Sequence, residues 1–147
     1  MNLRPFAEAD FDAVVAQWHA TNRTAYAYVP LQRAHTLSGA RAFFRDQVLT
    51  RCRVFGATAA ATPLGLIALE DNWIRQLAVF APHRRRRVGS ALLAQARALS
   101  PRELRLYTFQ RNAAARRFYQ SHGFVPVAFG ISPAPEDEPD VEYWWTA

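Results

Sequence analysis

The sequence contains no lysine, a single cysteine and no hydrophobic run long enough to cross a membrane. One cysteine excludes an internal disulfide and a cysteine metal cluster, so Cys52 is expected to be a small buried hydrophobe at the start of a strand. The four histidines lack ligand spacing, which excludes an evident zinc site. Because the first ten residues contain no apolar leader segment, we expect a cytoplasmic protein with no membrane partner and no metal ion.

The basic residues of the chain are all arginine, 18 of them against 12 acidic residues, for a net charge of +6. Such a balance favours anionic partners, either a phosphorylated cofactor or nucleic acid. Arginine suits bidentate contacts to phosphate better than lysine does. We find no internal repeat and no linker in the 147 residues, so residues 1–147 are expected to form a single domain.

The most informative stretch reads LAVFAPHRRRRVGSALL and runs from Leu77 to Leu93. A short apolar run predicts a buried strand, and helical spacing of apolar residues from Val88 predicts a helix that ends at Ser100. A helix N-terminus carries unpaired N–H groups and the positive end of the helix dipole. Strand, arginine-rich turn and helix together therefore predict a site for an anion, where the small Gly89 and Ser90 would let a ligand approach the backbone. The alternative is a solvated arginine cluster at a helix end.

The remaining pattern alternates short strands with amphipathic helices. Helices are predicted at Phe11–Thr21, His35–Leu49 and Arg111–Ser121 besides the one from Val88, and strands at Asn2–Phe6, Arg53–Ala61, Leu64–Glu70, Trp73–Phe80, Glu103–Phe109, Phe124–Phe129 and Val141–Trp145. Asn22–Gln32 is expected to be a loop, and Thr62-Pro63 and Asp71-Asn72 to be turns. Two helix crossovers between strands imply a mixed sheet flanked by helices.

A second motif lies in the segment LYTFQRNAAARRFYQSHGF, from Leu106 to Phe124. Six of its residues match the pattern Asn-x-x-Ala-x-x-Phe-Tyr-x-x-x-Gly-Phe of the GNAT superfamily of acyl-CoA-dependent N-acetyltransferases: Asn112, Ala115, Phe118, Tyr119, Gly123 and Phe124. The arginine-rich turn also resembles the pyrophosphate loop of that superfamily, Gln/Arg-x-x-Gly-x-Gly/Ala. Arg87 stands where that loop has its first glycine, a position that can require a positive φ and would strain any other residue.

The resemblance implies an α/β (α+β) single-domain fold with a mixed, mostly antiparallel sheet flanked by about four helices. It also implies that acetyl-CoA lies between the strands Trp73–Phe80 and Glu103–Phe109, which part to admit it. The pantetheine arm would pair with the strand backbone, and amides of the turn would hold the pyrophosphate. The cofactor-binding residues implied are Leu77, Ala78, Val79, Arg84, Arg85, Arg86, Arg87, Val88, Gly89, Ser90, Asn112, Ala115 and Phe118.

Acetyl transfer to an amine requires a neutral nitrogen, a stabilised oxyanion and a proton for the leaving thiolate. Because an alkylamine has a pKa of about 10.4, a base must remove its proton. Glu70, or its neighbour Asp71, is our candidate for that base, and the alternative is a turn carboxylate facing water. Tyr119 would protonate the leaving sulfur, and a strand amide near Val79 would hold the oxyanion.

The acceptor is less well defined by the sequence. Four aromatic residues could wall its pocket by cation–π contacts, although aromatic residues usually belong to the core: Trp18, Tyr26, Tyr28 and Trp73. The acidic loop Glu136–Glu138 could attract a cationic amine. We therefore predict an acetyl-CoA-dependent N-acetyltransferase acting on a primary amine of a small molecule or peptide by direct attack in a ternary complex. A basic acetyltransferase of RNA-linked or protein amines and a non-catalytic CoA-binding module are the alternatives, and a homodimer stays open.

Overall fold

The computed structural model describes residues 1–80, 83 and 87–147. The strands are β1 Asn2–Pro5, β2 Arg53–Ala59, β3 Thr62–Glu70, β4 Trp73–Val79, β5 Glu103–Phe109, β6 Val125–Ile131 and β7 Pro139–Thr146. The helices are α1 Phe11–Ala25, α2 Pro30–Ala34, α3 Leu37–Phe43, α4 Leu49–Arg51, α5 Val88–Leu99 and α6 Ala113–Ser121. A π-helical turn, Phe44–Val48, joins α3 to α4, so the two form one helical segment.

The strands form a single sheet in the order β1-β2-β3-β4-β5-β7-β6. All neighbouring pairs are antiparallel except β4 and β5, which run parallel. Strand β7 lies between β5 and β6, so the helix α6 crosses over it on the way from one to the other. The expected mixed, mostly antiparallel sheet with flanking helices is confirmed.

Three local expectations are wrong. Helix α1 continues to Ala25 rather than ending near Thr21, because no glycine or proline interrupts the chain before Pro30. Pro30 then opens α2 inside the expected loop, at the first helical turn where a missing N–H does no harm. The β2–β3 turn is Ala60-Ala61, both at positive φ, and not Thr62-Pro63. Pro63 pairs with Thr58 near the start of β3, where a strand tolerates proline.

Apolar side chains cover both faces of the sheet. On one face, α5 and α6 pack on a cluster that includes Ile67, Leu104 and Leu106. On the other face, α1 and α3 pack on a cluster that includes Leu66 and Phe44, and Phe44 is fully buried. Strand β3 contributes to both clusters, which explains its nearly continuous run of apolar residues. None of the described helices combines the length and hydropathy needed to span a bilayer.

Candidate active site

Strand β4 has one closed edge and one open edge. It pairs with β3 from Glu70↔Trp73 to Gly65↔Val79, but with β5 only at Trp73↔Arg105. At that end the Arg105 N–H donates to the Asn72 carbonyl at 2.9 Å. Beyond this point the parallel strands part toward their carboxyl ends, and both strands lie wholly in the described part of the chain. The expected separation of these two strands is present.

The backbone groups at the open edge follow from the pairing at the closed edge. The Phe80 N–H donates to the Leu64 carbonyl at 2.8 Å, so these two residues form a hydrogen-bonded pair of the antiparallel ladder. Hydrogen-bonded and non-hydrogen-bonded pairs alternate along such a ladder. Leu77 and Val79 therefore direct their N–H and C=O groups away from β3, toward the gap. Ala78, which was predicted to act with them, is instead paired with Leu66 across the closed edge.

A cleft of about 960 Å³ occupies the gap and opens on the face that carries α1 and α3. The residues lining it come from the α1–α3 region, both parting strands, α6 and the β6–β7 region. They include Trp18, Tyr26, Gln32, Arg75, Gln76, Leu77, Tyr107, Asn112, Ala115, Tyr119, Phe129, Ile131, Glu136, Asp140 and Glu142. The cleft thus combines open strand backbone with residues of the second sequence motif.

Helix α6 contributes three predicted residues to the cleft. Asn112 is the N-cap, and its Oδ1 accepts a hydrogen bond from the Ala115 N–H at 3.1 Å. This cap fixes the amide so that Nδ2 is the group free to donate to a ligand. Tyr119 lies two turns further along and is only 8% exposed. Burial raises the pKa of its phenol, and within the described chain the hydroxyl forms no hydrogen bond.

The N-terminus of α5 has the features of an anion site. Arg87 is the N-cap and adopts φ 61° and ψ 19°, the left-handed conformation anticipated for this position. The first intrahelical hydrogen bond runs from the Ala91 N–H to the Arg87 carbonyl at 3.0 Å. The N–H groups of Val88, Gly89 and Ser90 therefore have no acceptor within the helix. Arg84, Arg85 and Arg86 lie outside the described residues.

Gly89 and Ser90 pack differently from the expectation. A Cβ at Gly89 would lie 3.2 Å from the Phe118 ring, so the absence of a side chain there lets α6 approach α5. Phe118 accordingly packs on Gly89 and on His122, and does not line the cleft. The Ser90 hydroxyl hydrogen-bonds His122 Nε2 at 3.0 Å. His122, to which the sequence analysis assigned no role, thus joins the start of α5 to the end of α6.

Glu70 lies beside the cleft rather than in it. Its Oε1 accepts a hydrogen bond from Arg75 Nε at 3.0 Å, and it lines a separate depression of about 260 Å³ with Cys52. Arg75 and Gln76 line both spaces. Asp71 is exposed in the β3–β4 turn at φ 54°. The structure therefore does not bring either candidate base into direct contact with the cleft that holds Tyr119.

The four aromatic residues predicted for the acceptor pocket divide into two pairs. Trp18 and Tyr26 line the cleft, and Trp18 Nε1 donates to Gln76 Oε1 at 3.2 Å. Tyr28 packs on Phe109 under the Arg111 guanidinium, and burial raises its pKa to about 12. Trp73 stacks on Tyr107 with ring centroids 5.2 Å apart. Tyr28 and Trp73 are thus part of the packing around the cleft and not of its wall.

Carboxylates line the opposite side of the cleft from α6. Asp140 and Glu142 of β7 alternate with the fully buried Val141 and Tyr143, so they project from the other face of the sheet. Glu136 approaches from the preceding loop, where Gln32 hydrogen-bonds it. The other two acidic residues of that loop, Asp137 and Glu138, do not line the cleft.

Glu138 in that loop is 5% exposed and holds Arg111 through two hydrogen bonds of 2.8 and 2.7 Å. That ion pair lowers the pKa of Glu138. Asp137 is exposed and lies away from the cleft lining. Of the acidic loop, only Glu136 therefore reaches the cleft.

Comparison with known proteins identifies the family. The profile of a family described as acetyltransferase (GNAT) domain matches residues 50–126, slightly more than half of the chain. The chain belongs to the GNAT acetyltransferase family. The matched range runs from the end of the α3–α4 segment to the start of β6, and so includes β4, β5, α5 and α6. Strand β7 and the three cleft carboxylates, Glu136, Asp140 and Glu142, lie outside it. No curated protein matches the chain.

Solved structures show the same fold for this GNAT chain at low sequence identity. Apo YjaB from Escherichia coli is 18% identical, over 98% of this chain and 96% of that chain, with a TM-score of 0.82. A GCN5-related N-acetyltransferase from Rhodopseudomonas palustris is 22% identical, over 99% and 95%, with a TM-score of 0.81. The PaiA N-acetyltransferase from Thermoplasma acidophilum, in complex with coenzyme A, is 18% identical, over 99% and 98%, with a TM-score of 0.74.

The sequence analysis missed several cleft residues of this GNAT domain. Asp140 and Glu142 were predicted only as part of a closing strand, although their alternation with Val141 and Tyr143 marks a polar strand face. Gln76 carried no signal, because its contact with Trp18 spans 58 positions in the chain. Residues of this kind are brought to the cleft by the sheet order, which the local sequence does not reveal.

Proposed function

We propose that this protein transfers an acetyl group from acetyl-CoA to a primary amine of a small molecule or peptide, by direct attack within a ternary complex. One observation carries the proposal: the open backbone edge at Leu77 lines the same cleft as Tyr119, a buried residue whose hydroxyl forms no hydrogen bond within the described chain. The coenzyme A complex of the PaiA structure supports the choice of an acyl-CoA as the donor.

The residues present suit the proposed donor. Leu77 and Val79 direct hydrogen-bonding groups into the gap, as a strand edge does for an extended ligand with amide groups. The free N–H groups of Val88 to Ser90, at the positive end of α5, suit a pyrophosphate. Asn112 offers Nδ2 to the arm between them, and Ala115 leaves room for it. When bound, acetyl-CoA supplies the acetyl thioester.

Tyr119 acts in this proposal as the proton donor to the leaving sulfur. Because burial raises the pKa of its phenol, Tyr119 is neutral and protonated at physiological pH. The same apolar surroundings would also raise the pKa of the thiol that forms beside it. The phenol that gives the proton and the thiolate that receives it therefore have comparable proton affinities. The amine nitrogen first forms the new C–N bond, the Val79 N–H stabilises the resulting tetrahedral oxyanion, and the C–S bond then breaks as the thiolate takes the proton of Tyr119.

Glu70 remains the proposed base, acting through water. It lies outside the cleft, so a proton released by the amine would reach it only past Arg75 and Gln76. Asp71, exposed in the adjacent turn, is the substitute. Replacing Glu70 by Gln should then depress the rate most at low pH, where the amine is most fully protonated, and an unchanged pH profile would remove Glu70 from the mechanism.

Two measurements test the proposal. Thermal unfolding with and without acetyl-CoA reports binding, and release of free thiol in the presence of an amine panel reports transfer. We expect both a raised melting temperature and amine-dependent thiol release. Stabilisation by acetyl-CoA with no thiol release from any amine would favour a non-catalytic CoA-binding module. Absence of stabilisation would contradict the donor assignment itself.

A further inference from the structure

His122 forms hydrogen bonds through both of its ring nitrogens. Its Nε2 lies 3.0 Å from the hydroxyl of Ser90, a residue of the first turn of α5. Its Nδ1 lies 2.9 Å from the carbonyl oxygen of Phe118, one turn earlier in α6. Both His122 and Ser90 are half-buried. The ring is therefore held between the two helices and can still exchange a proton with solvent.

The contacts of Nδ1 determine which ring nitrogen of His122 carries the hydrogen. A carbonyl oxygen can only accept, so the contact with Phe118 requires a hydrogen on Nδ1. The Ser121 hydroxyl, 3.1 Å from Nδ1, donates its own hydrogen to the same carbonyl at 2.7 Å and can therefore only accept from Nδ1. In the neutral ring Nε2 is then the acceptor, and the Ser90 hydroxyl donates to it.

Ser90 belongs to the free backbone donors at the start of α5. Its N–H and those of Val88 and Gly89 have no acceptor within the helix. Because side chains of a helix lean toward its N-terminus, the Ser90 hydroxyl lies at the same end as these N–H groups. While His122 is neutral, the hydrogen of that hydroxyl is used in the contact with the ring. An anion at the Ser90 N–H would then face the lone pairs of the hydroxyl oxygen.

Protonation of His122 reverses the direction of this hydrogen bond. The ring takes up a proton from solvent at Nε2, and the new N–H donates to the Ser90 oxygen. The hydrogen of the Ser90 hydroxyl is thereby released from the ring and can be donated to an anion at the start of α5. A donor in place of a lone pair favours a bound phosphate, and the positive charge of the ring adds to the same effect.

We propose that His122 is a positioning residue of the acyl-CoA site: through the Ser90 hydroxyl, its protonated ring tightens the binding of the pyrophosphate at the start of α5. This inference rests on the proposed function, in which the free N–H groups of Val88 to Ser90 hold that pyrophosphate. His122 acts through Ser90 and takes no part in the transfer of the acetyl group. Binding of the donor should consequently weaken as the pH rises and the ring loses its proton.

In the described part of the chain, Arg97 of α5 is the charged residue in contact with His122. Its Nη2 donates to the His122 backbone carbonyl, and its guanidinium lies 4.8 Å from the ring of Trp145 in β7. The contacts from α6 itself are uncharged, namely the Phe118 ring, whose centroid is 4.4 Å from that of His122, and Ser121. A guanidinium keeps its proton throughout the pH range of protein experiments, so Arg97 cannot cause a change in binding with pH.

Calorimetric titration of CoA into the protein at about pH 5.5 and about pH 8, on either side of the ordinary histidine pKa of about 6.5, tests the inference. His122→Gln measures the part of the pH dependence that comes from the phosphates of CoA, because the amide oxygen can accept from Ser90 at either pH and does not titrate. We expect the ratio of the two dissociation constants to be about fivefold or more larger in the wild type than in His122→Gln. Equal ratios would overturn the inference.

Two serine variants locate the effect. Ser90→Ala should remove more than half of the difference between the wild type and His122→Gln, since only the charge of the ring then remains. Ser100→Ala is the matched control, because it removes a hydroxyl from the opposite end of α5, where Ser100 donates to the Glu103 carbonyl. It should keep the full pH dependence. Full pH dependence in Ser90→Ala would mean that the ring acts by its charge alone, and the inference would fail.

The titration of the His122 ring, followed by NMR, is a readout that a purely structural contact would not change. Because linkage is reciprocal, CoA should raise the pH at which the ring loses its proton. An unchanged titration in the presence of bound CoA would overturn the inference and leave the proposed function intact. Failure of CoA to bind at either pH would contradict the donor assignment of the proposed function, and this inference with it.

Discussion

The two edges of strand β4 form a natural comparison within the molecule. On the β3 side the strand is paired along its length, and Gly65 is packed so closely that a Cβ there would lie 2.5 Å from the Ala78 carbonyl oxygen. On the β5 side it is paired at Trp73 alone, and Leu77 lines a cleft of about 960 Å³. Strand β4 therefore has one edge that holds it in place and one open edge whose backbone groups can form hydrogen bonds with a ligand.

The difference shows how the backbone edge of a strand, rather than polar side chains, can supply the hydrogen-bonding groups of a ligand groove. The closed edge holds β4 in place, because shifting it would break ladder hydrogen bonds and displace the packing around Gly65. The open edge then presents donors and acceptors whose positions are already set. Substitutions at the closed edge should consequently change stability, whereas those around the open edge should change turnover.

The largest expected effect lies at the open edge. Tyr119→Phe should lower kcat by about 10- to 10,000-fold, the range of lost general acid catalysis. Because the hydroxyl forms no hydrogen bond within the described chain, its removal should leave the melting temperature nearly unchanged. Thiol-release kinetics and calorimetric titration with acetyl-CoA measure the two effects separately. Wild-type turnover in the variant would show that the cleft works without this phenol.

At the closed edge, Gly65→Ala should lower the free energy of unfolding by about 1–3 kcal/mol, the usual cost of overpacking. Its Cβ would collide with backbone, which cannot turn aside as a side chain can. Gly56→Ala on the neighbouring strand is the matched control, since a Cβ there comes no closer than 3.9 Å to other atoms. Urea unfolding of both variants would reveal the contrast, and equal stabilities would argue that β4 is not held tightly against β3.

Arg87→Gly tests the junction between the open edge and α5. Relief of the strained φ of 61° should stabilise the fold or tighten CoA binding, within about 1 kcal/mol. Ala61→Gly is the control, because Ala61 also has positive φ (68°) but lies in the β2–β3 turn, outside the cleft lining. Loss of both stability and CoA affinity in Arg87→Gly would instead show that the guanidinium contacts phosphate.

The smallest effect concerns Asp140, which lines the cleft that holds the open edge. The raised pKa of Asp140 means that the folded state holds its proton more tightly than the unfolded state. Stability should therefore fall as pH rises from the unfolded pKa of about 3.9 through the folded value. Asp140→Asn should raise the free energy of unfolding at pH 8 by no more than about 0.5 kcal/mol, and leave it unchanged at pH 3; urea unfolding at the two pH values measures both. The same gain at both pH values would mean that ionisation is not the cause.

Prediction from sequence succeeded where neighbours along the chain decide the outcome. The helix predicted at Arg111–Ser121, which Asn112 caps and which ends before Gly123 at φ 87°, and the left-handed Arg87 depend on residues within a few positions of one another. Prediction failed where the surroundings of a residue depend on the neighbouring strands of the sheet. Ala78 was grouped with Leu77 and Val79, but strand alternation turns its backbone the other way. Glu70 and Tyr119 were paired by their chemistry, and the fold places Glu70 in a separate depression.

Periodicity and local motifs by themselves determined most helices and strands, the start of α5 after the arginine-rich turn and the resemblance to the GNAT family. Only the tertiary structure decided that β7 lies between β5 and β6, which carries Asp140 and Glu142 to the cleft and leaves them without arginine partners. The physical reason is the distance along the chain over which each kind of interaction acts. Backbone capping and amphipathic spacing act over one or two helical turns, whereas the order of strands depends on contacts between segments far apart in the chain.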